Sequence, residues 1–300
     1  MRVTVRVPAT SANIGPGFDV LGLALSLHNV VTAEEAEGVT VTNEGEGAGA
    51  LPTDASNVVA RAVRQAFEAA GRPFRGVRLA CVNQIPPSRG LGSSAAAWVA
   101  GLVAGNALAG EPLPREALLD AAARAEGHPD NVAAAFLGGL TVSCASGDRI
   151  TAISMSVPAA VRWVVLIPEA QGSTPEARAV LPPDVSRADA VFNLQRVSLL
   201  LAALSAGRLD LLPAALDDRL HQPARWRLFP WLPAAVTAAR AAGALGCVLS
   251  GAGPSLLAAV AGGGESVARA METALHAEGG AGRAVALSVD ARGATWERVA

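Results

Sequence analysis

The chain has 300 residues, of which 51% are hydrophobic and 17% are charged, a length and composition that suit two domains with ample cores and exclude a disordered chain. The net charge of −2 gives no reason to expect a surface for nucleic acid or for an acidic membrane. All 24 basic residues are arginines, so any site that normally uses a lysine must work without one.

The N-terminus and the cysteines indicate the compartment. "MRVTVRVPAT" alternates apolar and polar residues, which predicts a strand and not a signal peptide. The apolar runs are interrupted well before the ~20 residues that a membrane span needs. Cys81, Cys144 and Cys247 lie far apart in apolar, strand-like surroundings, and we expect three buried free thiols. This pattern predicts a cytoplasmic protein.

The first half of the chain mixes strands and helices. Val3, Val5 and Val7 fall on one face of a first strand, and the turn formers of residues 8–19 predict a loop. Further strands are expected over residues 20–27, 30–33, 39–43, 76–84, 138–146 and 149–157, and helices over 56–70, 93–109, 114–127 and 132–137. Because these elements lack the regular alternation of a doubly wound sheet, the first domain is predicted to be α+β.

Pro158 is the predicted boundary, which divides the chain into domains of residues 1–157 and 158–300. The second domain is again expected to be α+β. Its predicted strands cover 161–168 and 283–289, with a strand pair around a glycine turn over 245–260. Its predicted helices cover 187–206, 231–244 and 265–279, with one that starts near 173 and one over 212–230 that gives way to a proline-interrupted loop.

The stretch "CVNQIPPSRGLGSSAAAWVA" (residues 81–100) reads as the end of a strand, a glycine-rich loop and a helix of small residues. It formally matches the dinucleotide fingerprint, but the acidic residue at the right distance, Glu111, lies between two helices with no strand before it. A Walker A loop is excluded because that motif requires Gly-Lys-Ser/Thr. Dinucleotide binding and a P-loop are therefore both rejected.

The capacity to bind an anion survives both rejections. A helix that begins near Ser93 leaves backbone N–H groups unpaired and carries a partial positive charge at its start. Gly90 and Gly92 would let a phosphate approach the main chain, and the hydroxyls of Ser93 and Ser94 add donors or a metal ligand. The alternative is a tight strand-to-helix turn in which a serine serves only as the N-cap.

Three stretches together resemble the motifs of the GHMP kinase family. "PATSANIGPGFDVLGLAL" is similar to the first motif, "PPSRGLGSSAAA" to the second and "LSGAGPSLLA" to the third, in the family's order and across almost the whole chain. The resemblance implies an N-terminal domain like the second domain of ribosomal protein S5, a ferredoxin-like C-terminal domain and a cleft between them. It also implies ATP as a substrate, with its phosphates on a loop that lacks the Walker lysine.

Within the family, the first motif resembles the version found in homoserine kinases. "EGHPDNVAAAFLGG" and "LHQPAR" are also typical of the bacterial members of that branch. The resemblance implies transfer of a phosphoryl group from ATP to the hydroxyl of L-homoserine in threonine biosynthesis, with Mg²⁺ as the metal. Family members are commonly dimers, so it also implies a homodimer, with neither nucleic acid nor membrane as a partner.

The resemblance assigns residues to two ends of the substrate. Asn13 and Asp19 would meet the hydroxyl and act in catalysis, while His128, Asp130 and Asn131 would bind the substrate, since an aspartate is a natural partner for an ammonium group. From the residues alone, alternatives remain open. Asn13 could form an Asx turn, Asp19 could cap the following segment, and "HPDN" could simply begin a helix.

A third group would hold the substrate carboxylate. Thr174 and Arg178 are four residues apart and share a helix face, and Arg225 follows in "HQPAR". The corresponding arginines of the family grip the carboxylate, for which a planar guanidinium is suited because it can bond both oxygens. Either arginine could instead be a solvated surface charge, and Arg219 and Arg227 remain alternatives to Arg225.

Glu126 has the family's metal position and a catalytic role, with Ser94 as the second metal ligand. Mg²⁺ commonly takes one or two protein oxygens together with phosphates and water. An anion at the end of a helix is unfavourable, which a bound cation would relieve. The alignment of Glu126 depends on where a gap is placed, because some relatives have a longer segment before the histidine.

The resemblance also assigns the nucleotide loop. The role of Arg89 within it stays open, because this position varies in the family. Without a lysine, no Asp–Lys pair can activate the hydroxyl, so we expect Asp19 to orient it without a strong general base. The predicted nucleotide-binding residues are Pro86, Pro87, Ser88, Arg89, Gly90, Leu91, Gly92, Ser93, Ser94, Ala95 and Ala96.

Three other functions agree less well with the residues of this sequence. A GHMP kinase that acts on an uncharged alcohol would leave Arg178 and Arg225 without a purpose. A non-catalytic regulator that only binds nucleotide should have lost Glu126 or the loop serines, and both are present. An RNA-binding protein is suggested by the S5-like fold alone, and the acidic balance argues against it.

Overall fold

The structure is a computed structural model that describes residues 1–299; residue 300, the last of the predicted second domain, lies outside that range. The described chain forms two β-sheets with helices against both, which confirms the predicted α+β class. The strands are β1 (Arg2–Ala12), β2 (Leu21–Glu35), β3 (Gly38–Gly45), β4 (Gly76–Asn83), β5 (Leu140–Ser146), β6 (Arg149–Met155), β7 (Val161–Pro168), β8 (Gly246–Leu249), β9 (Leu256–Ala261), β10 (Gly282–Leu287) and β11 (Thr295–Val299).

The helices agree closely with the sequence in the first domain and less well around residue 220. They are α1 (Val58–Ala69), α2 (Ser93–Leu108), α3 (Arg115–Glu126), α4 (Asp130–Leu137), α5 (Thr174–Ala179), α6 (Arg187–Ala206), α7 (Leu212–Ala215), α8 (Gln222–Arg225), α9 (Leu232–Ala241) and α10 (Glu265–Ala277). Between residues 1 and 299, no helix has both the length and the apolar character to cross a membrane.

The first sheet has seven strands, in the order β11-β1-β2-β4-β3, and β5 and β6 extend it from β2. Val3, Val5 and Val7 are fully buried on β1, as the alternation predicts. The sequence is wrong about where this strand ends, since it predicts a loop from residue 8 and the strand runs to Ala12. Residues 9–12 are buried and pair with β2, because buried backbone groups need hydrogen-bond partners.

α2 lies at the centre of the helical layer and is buried on nearly all sides. Its glycines let the backbone of α1 come very close. A Cβ atom at Gly101 would clash with the carbonyl oxygen of Val59, and one at Gly105 would lie 2.7 Å from that of Val63. The two helices are thus locked in position, and so is the N-terminus of α2, which follows the glycine-rich loop.

The second sheet has four antiparallel strands, in the order β10-β7-β9-β8. β7 has a continuous apolar run because both faces of the sheet are covered. Val164 and Leu166 pack in the cluster that contains α9 and α10. Val165 and Ile167 pack on the other side with α6 and α7, in a core that continues into the first domain. The two sheets are therefore joined by a shared apolar core.

The C-terminal segment returns to the first sheet. The backbone N–H of Ser26 donates to the carbonyl of Ser288 at 2.9 Å, and that of Asp290 donates to the carbonyl of Ala24 at 3.0 Å. β11 then pairs with β1. The division between residues 157 and 158 stays a prediction. β11, which belongs to the predicted second domain, pairs with β1 of the predicted first domain.

All three cysteines are free thiols, and the predicted burial is confirmed for two of them. Cys81 and Cys247 are buried, and burial raises the pKa of the Cys81 thiol to about 11 and that of Cys247 to about 12. Cys144 is exposed, so its predicted burial is wrong. It lies near the end of β5, where the last three residues of the strand are exposed. The burial at the start of the strand therefore does not extend to Cys144.

Asp290 fastens the returning segment to β2. Its carboxylate accepts hydrogen bonds from His28 Nε2 at 2.7 Å and from the backbone N–H groups of Arg292 and Gly293 at 2.8 and 2.9 Å. Arg6 donates to Nδ1 of the same histidine at 2.9 Å, which fixes the tautomer. Burial raises the pKa of Asp290, but these hydrogen bonds outweigh it and lower the pKa to about 2.

We expect Asp290→Asn to lower the free energy of unfolding at pH 7 by about 1–2 kcal/mol, which is the linkage value for such a shift reduced for solvent screening. The folded pKa lies below the unfolded value of 3.8, so this stability is present above that value and is lost as the pH falls towards 2. Urea midpoints at pH 7, 5 and 3 measure it. The gap between variant and parent should narrow at pH 3, whereas Asp210→Asn, on an exposed carboxylate, should change nothing measurable. An Asp290→Asn protein with the parent's midpoints throughout would contradict the assignment.

Candidate active site

A cavity of about 400 Å³ lies where the glycine-rich loop meets the second domain. It brings together residues from all three motifs, although they are up to 240 positions apart in the chain. The predicted site residues that line it are Asn13, Asp19, Ser88, Gly90, Leu91, Gly92, Ser93, Ser94, Glu126, His128, Asp130, Asn131, Thr174, Arg178 and Arg225. Arg219 and Arg227, the alternatives to Arg225, are not among its lining residues.

The glycine-rich loop presents the N-terminus of α2 to this cavity. Gly92 is the N-cap, with a left-handed φ of 68°, and no side chain caps the helix. A serine is therefore not the N-cap, and first-turn N–H groups of α2 remain available to an anion. A Cβ atom at Gly92 would clash with Thr10 Oγ1, and one at Gly90 would clash with the carbonyl of Ser250. Both glycines are needed for close approach to other parts of the chain.

The remaining residues of the predicted nucleotide loop lie elsewhere. Ala95 and Ala96 are fully buried, so their side chains pack in the core of the first domain. Pro86 and Arg89 line an adjoining groove of about 250 Å³. Pro87 lies between them in the chain and lines neither space. The cavity surface of the loop is thus confined to residues 88 and 90–94.

One wall of the cavity holds Glu126, which ends α3, beside the first turn of α2. Ser94 Oγ donates to Glu126 Oε2 at 2.9 Å. Burial raises the pKa of Glu126, although the hydrogen bond from Ser94 and the charge of His128 oppose this. The geometry places one carboxylate and one hydroxyl side by side at the point where the helix N-terminus opens into the cavity.

His128 and Asp130 form a hydrogen-bonded pair at the start of α4. His128 Nδ1 lies 2.8 Å from Asp130 Oδ1, which also accepts the N–H of Asn131. Burial lowers the pKa of His128, but the hydrogen bond and charge of Asp130 outweigh it and raise the pKa. Asn131 Oδ1 accepts a hydrogen bond from Thr10 at 2.7 Å. Asp130 is only 2% exposed, so its second oxygen is held in a nearly dry environment.

Asn13 and Asp19 lie at the two ends of the first-motif loop, both in the left-handed region with φ of 71° and 56°. The backbone N–H of Asp19 donates to Asn13 Oδ1 at 3.1 Å, and Asn13 Nδ2 donates to the carbonyl of Gly251 at 2.9 Å. The Asn13 amide thus closes the loop across six residues, a longer span than an Asx turn. Its second N–H hydrogen is left for another acceptor.

Asp19 and Arg178 both line the cavity and form a direct ion pair. Arg178 Nη1 and Nη2 donate to Asp19 Oδ2 and Oδ1 at 3.0 and 2.8 Å. This bidentate pair raises the pKa of the arginine. It connects the first motif with α5 of the second domain, and Thr174 stands one turn before Arg178 on the same helix.

Arg225 is 2% exposed and is held by main-chain oxygens. Nε donates to the carbonyl of Ala177 at 3.0 Å and Nη1 donates to that of Gly251 at 3.1 Å. Burial lowers the pKa of this arginine. The sequence predicts a helix over residues 212–230 that gives way to a proline-interrupted loop. In the structure the helix, α7, ends at Ala215, and Asp218 accepts the N–H groups of residues 220–222 and starts a new turn.

Sequence reasoning missed two residues that support the arginines. His221 Nε2 donates to the carbonyl of Gly15 at 2.8 Å, and its ring stacks on Phe18 at 5.2 Å between centroids. Arg178 and Arg225 lie over the same Phe18 ring at 5.7 and 5.2 Å. Both residues stand inside quoted motifs, and the signal that could have found them is an aromatic side chain next to Asp19 in a chain with 4% aromatic residues.

Five small residues complete the cavity, and none of them was assigned a role from the sequence. The turn of the third motif contributes Gly251, Ala252 and Gly253, and the loop before α5 contributes Gly172 and Ser173. Glycine and alanine have no functional side chain and give no chemical signal in a sequence, so of this set only the glycine turn of the third motif was predictable.

Comparison with known proteins identifies the family. Residues 57–139 match the GHMP kinases N terminal domain, and residues 200–277 match the GHMP kinases C terminal domain. A homoserine kinase of Moorella thermoacetica is 45% identical over 92% of this chain and 93% of the relative. One of Desulfitobacterium hafniense is 44% identical over 97% and 99%.

Solved structures agree with these sequence matches. A homoserine kinase from Cytophaga hutchinsonii superposes with a TM-score of 0.89 at 31% identity, covering 99% of this chain and 97% of that one. Mevalonate kinase of L. major, at 18% identity and a TM-score of 0.70 over 93% and 94%, shares the fold. The predicted GHMP kinase fold is confirmed. The chain belongs to the GHMP kinase family and, within it, to the homoserine kinases.

Proposed function

We propose that this chain transfers the γ-phosphoryl group of ATP to the hydroxyl of L-homoserine, giving O-phospho-L-homoserine and ADP. One observation carries the proposal: a single cavity joins an uncapped helix N-terminus to a buried carboxylate and two arginines. The first suits a polyphosphate, and the others suit the ammonium and carboxylate of an amino acid. The helix N-terminus, the carboxylate and the arginines thus suit the two substrates of one reaction, ATP and an amino acid.

The nucleotide end is served mainly by the backbone. The first residues of α2 line the cavity without a side-chain cap, and the helix dipole favours negative charge there. Ser93 and Ser94 add hydroxyl donors. A lysine is absent from the chain, so positive charge for the phosphates must come from the helix, from arginine or from a metal ion.

The amino-acid end is served by charged side chains. Asp130 would accept the ammonium group, because its carboxylate is nearly dry and His128 holds it in place. Arg225 donates from Nε and Nη1 to carbonyls, and its Nη2 would donate to the substrate carboxylate. Arg178 would bond the same group, since a guanidinium has five N–H hydrogens and Asp19 takes two of them. Thr174 would add a hydroxyl.

Ser94 and Glu126 fit a magnesium ion. Mg²⁺ prefers oxygen ligands and commonly takes only one or two from protein, which is what this pair offers. Burial raises the pKa of Glu126, and a bound cation would favour the ionised carboxylate. When bound, Mg²⁺ would neutralise the charge that develops on the transferred phosphoryl group.

Asp19 would orient the hydroxyl of homoserine rather than remove its proton. Both of its oxygens already accept hydrogen bonds from Arg178, and Asn13 fixes its backbone. Phosphoryl transfer depends mainly on alignment and charge neutralisation. The hydroxyl proton would pass to the γ-phosphate or to solvent, so no strong general base is needed. A cytoplasmic location and a homodimer remain predictions alongside this function.

Release of ADP from ATP and Mg²⁺, measured across L-homoserine, mevalonate, L-serine, shikimate and galactose, tests the proposal. We expect saturable turnover on L-homoserine and little on the others, because only an amino acid satisfies Asp130 and both arginines, and L-serine is one methylene too short to reach Asp19. Turnover on an uncharged alcohol but not on homoserine would contradict the substrate while leaving the kinase assignment intact.

Glu126→Gln should lower kcat on the order of 10²-fold, the usual loss when a main electrostatic contribution to the transition state is removed. Glutamine keeps the hydrogen bond from Ser94, so the fold should survive. Steady-state kinetics over a range of Mg²⁺ concentrations measure this, with Glu116→Gln on the exposed first turn of α3 as the matched control. Turnover close to that of the parent at ordinary Mg²⁺ would exclude Glu126 as a metal ligand.

Arg178→Ala should raise the KM for L-homoserine by about 10- to 100-fold, as expected for a lost charge-assisted hydrogen bond, and leave the KM for ATP within about twofold. Arg208→Ala is the control, because Arg208 makes the same bidentate pair with Asp210 on the surface. If the KM for ATP rose instead, Arg178 would belong to the nucleotide site.

A further inference from the structure

The guanidinium of Arg89 is turned away from the cavity that its loop surrounds. Nη1 donates to the carbonyl of Pro87 at 2.7 Å, Nε to that of Pro168 at 3.1 Å and Nη2 to that of Glu169 at 2.7 Å. Each of its three nitrogens is thus bonded to a main-chain oxygen. The side chain lines the adjoining groove and not the proposed phosphate site.

Two of the three carbonyls that Arg89 holds, those of Pro168 and Glu169, belong to the segment that leads to α5, which carries Arg178. Pro168 is the last residue of β7, and α5 begins six residues later at Thr174. The same segment is fastened a second time, because the N–H of Gly172 donates to the carbonyl of Ser88 at 2.8 Å. Residues 88–89 and 168–172 therefore form one hydrogen-bonded unit that runs from the glycine-rich loop to α5.

A second connection runs from the other side of the loop. The N–H of Ser255 donates to the carbonyl of Arg89 at 3.2 Å, and Ser250 Oγ donates to that of Gly90 at 2.6 Å. The turn that bears these serines also supplies the Gly251 carbonyl, which accepts Arg225 Nη1. Arg225 is thus connected to the glycine-rich loop through the turn of residues 250–255, and Arg178 through the backbone segment that hydrogen bonds fasten at residues 168–172.

We propose that Arg89 is a positioning residue that couples nucleotide binding to amino-acid binding, and that it does not bind phosphate. The inference rests on the proposed function, since it takes ATP and L-homoserine as the two ligands. A planar guanidinium can hold several carbonyls in a fixed arrangement, which the single point charge of a lysine cannot do. A nucleotide that orders residues 88–92 would, through Arg89, also order the loop before α5 and so the position of Arg178.

Equilibrium binding separates this role from the alternatives. The dissociation constant of L-homoserine is measured by calorimetry with and without a non-hydrolysable ATP analogue and Mg²⁺, and that of the analogue with and without homoserine. For the parent we expect each ligand to tighten the other by the same factor, within the range of about 5- to 150-fold usual for coupled sites. In Arg89→Met this factor should fall to within about twofold of unity, while the analogue alone binds within about threefold of its parent affinity.

Two further variants complete the test. Arg283→Met is the matched control: Arg283 lines the same groove and pairs with Glu46 at 2.9 Å, so it should keep the full coupling. Arg89→Lys keeps the charge but loses the planar fork, so its coupling should fall as well. If circular dichroism shows that Arg89→Met does not fold, Arg89→Lys carries the same comparison.

Three results would overturn the proposal. The first is a parent protein that binds both ligands without coupling, and the second is an Arg89→Met protein with the parent's coupling factor. The third is a loss of analogue affinity of about tenfold or more in Arg89→Met that Arg89→Lys restores, because this would make Arg89 a phosphate ligand. Turnover of the parent on L-homoserine is assayed in parallel. Its absence would refute the proposed function, whereas turnover without coupling would refute this inference alone.

Discussion

The carbonyl oxygen of Gly251 is the point at which the parts of the active site are joined. It accepts one hydrogen bond from Asn13 of the first motif and one from Arg225 of the second domain, and a carbonyl oxygen has two lone pairs to satisfy. The N–H of the same residue donates to the carbonyl of Ala12. Both donor side chains are almost completely buried, so losing either partner would leave a polar group unpaired in a dry environment. The third motif thus shapes the site through its backbone, although it carries no catalytic side chain.

The absence of lysine explains how arginine is used here. Arg89 and Arg225 spend several donors on main-chain carbonyls and are held rigid by them. A guanidinium can do this and still present a free N–H edge to a ligand, because its five hydrogens lie in one plane. The ammonium of a lysine would be less constrained on its flexible stem. Arg89 and Arg225 are therefore placed by hydrogen bonds to the backbone, Arg178 is placed by the carboxylate of Asp19, and the helix N-terminus adds positive charge at the proposed phosphate site.

The sequence predicted the elements better than their connections. The sequence located α6 at residues 187–206 and β7 at 161–168, and β7 was recognisable as a continuous apolar run because both faces of its sheet are covered. The helix expected from Leu212 has only four residues, because Asp218 caps a new turn, a contact that no local pattern reveals. In the same way, the family resemblance pointed to Asp19 and Arg178 but not to the ring of Phe18, over which both Arg178 and Arg225 lie. Contacts between residues far apart in the chain depend on the tertiary fold, so they leave no local signal.

The charges around the cavity argue for a cation in the proposed reaction. Asp19, Glu126 and Asp130 place three carboxylates there against the two guanidiniums of Arg178 and Arg225, and the polyphosphate of ATP would add several further negative charges. Asp19 is paired with Arg178, and Asp130 is hydrogen-bonded to His128 and would meet the substrate ammonium in the proposed reaction. Glu126 has only a neutral hydroxyl as its hydrogen-bond partner, and it lies at the C-terminus of α3, where the helix dipole disfavours an anion. A divalent cation held by Glu126 would offset both the burial of this carboxylate and its repulsion from the phosphates, so the charge balance agrees with the ligand chemistry.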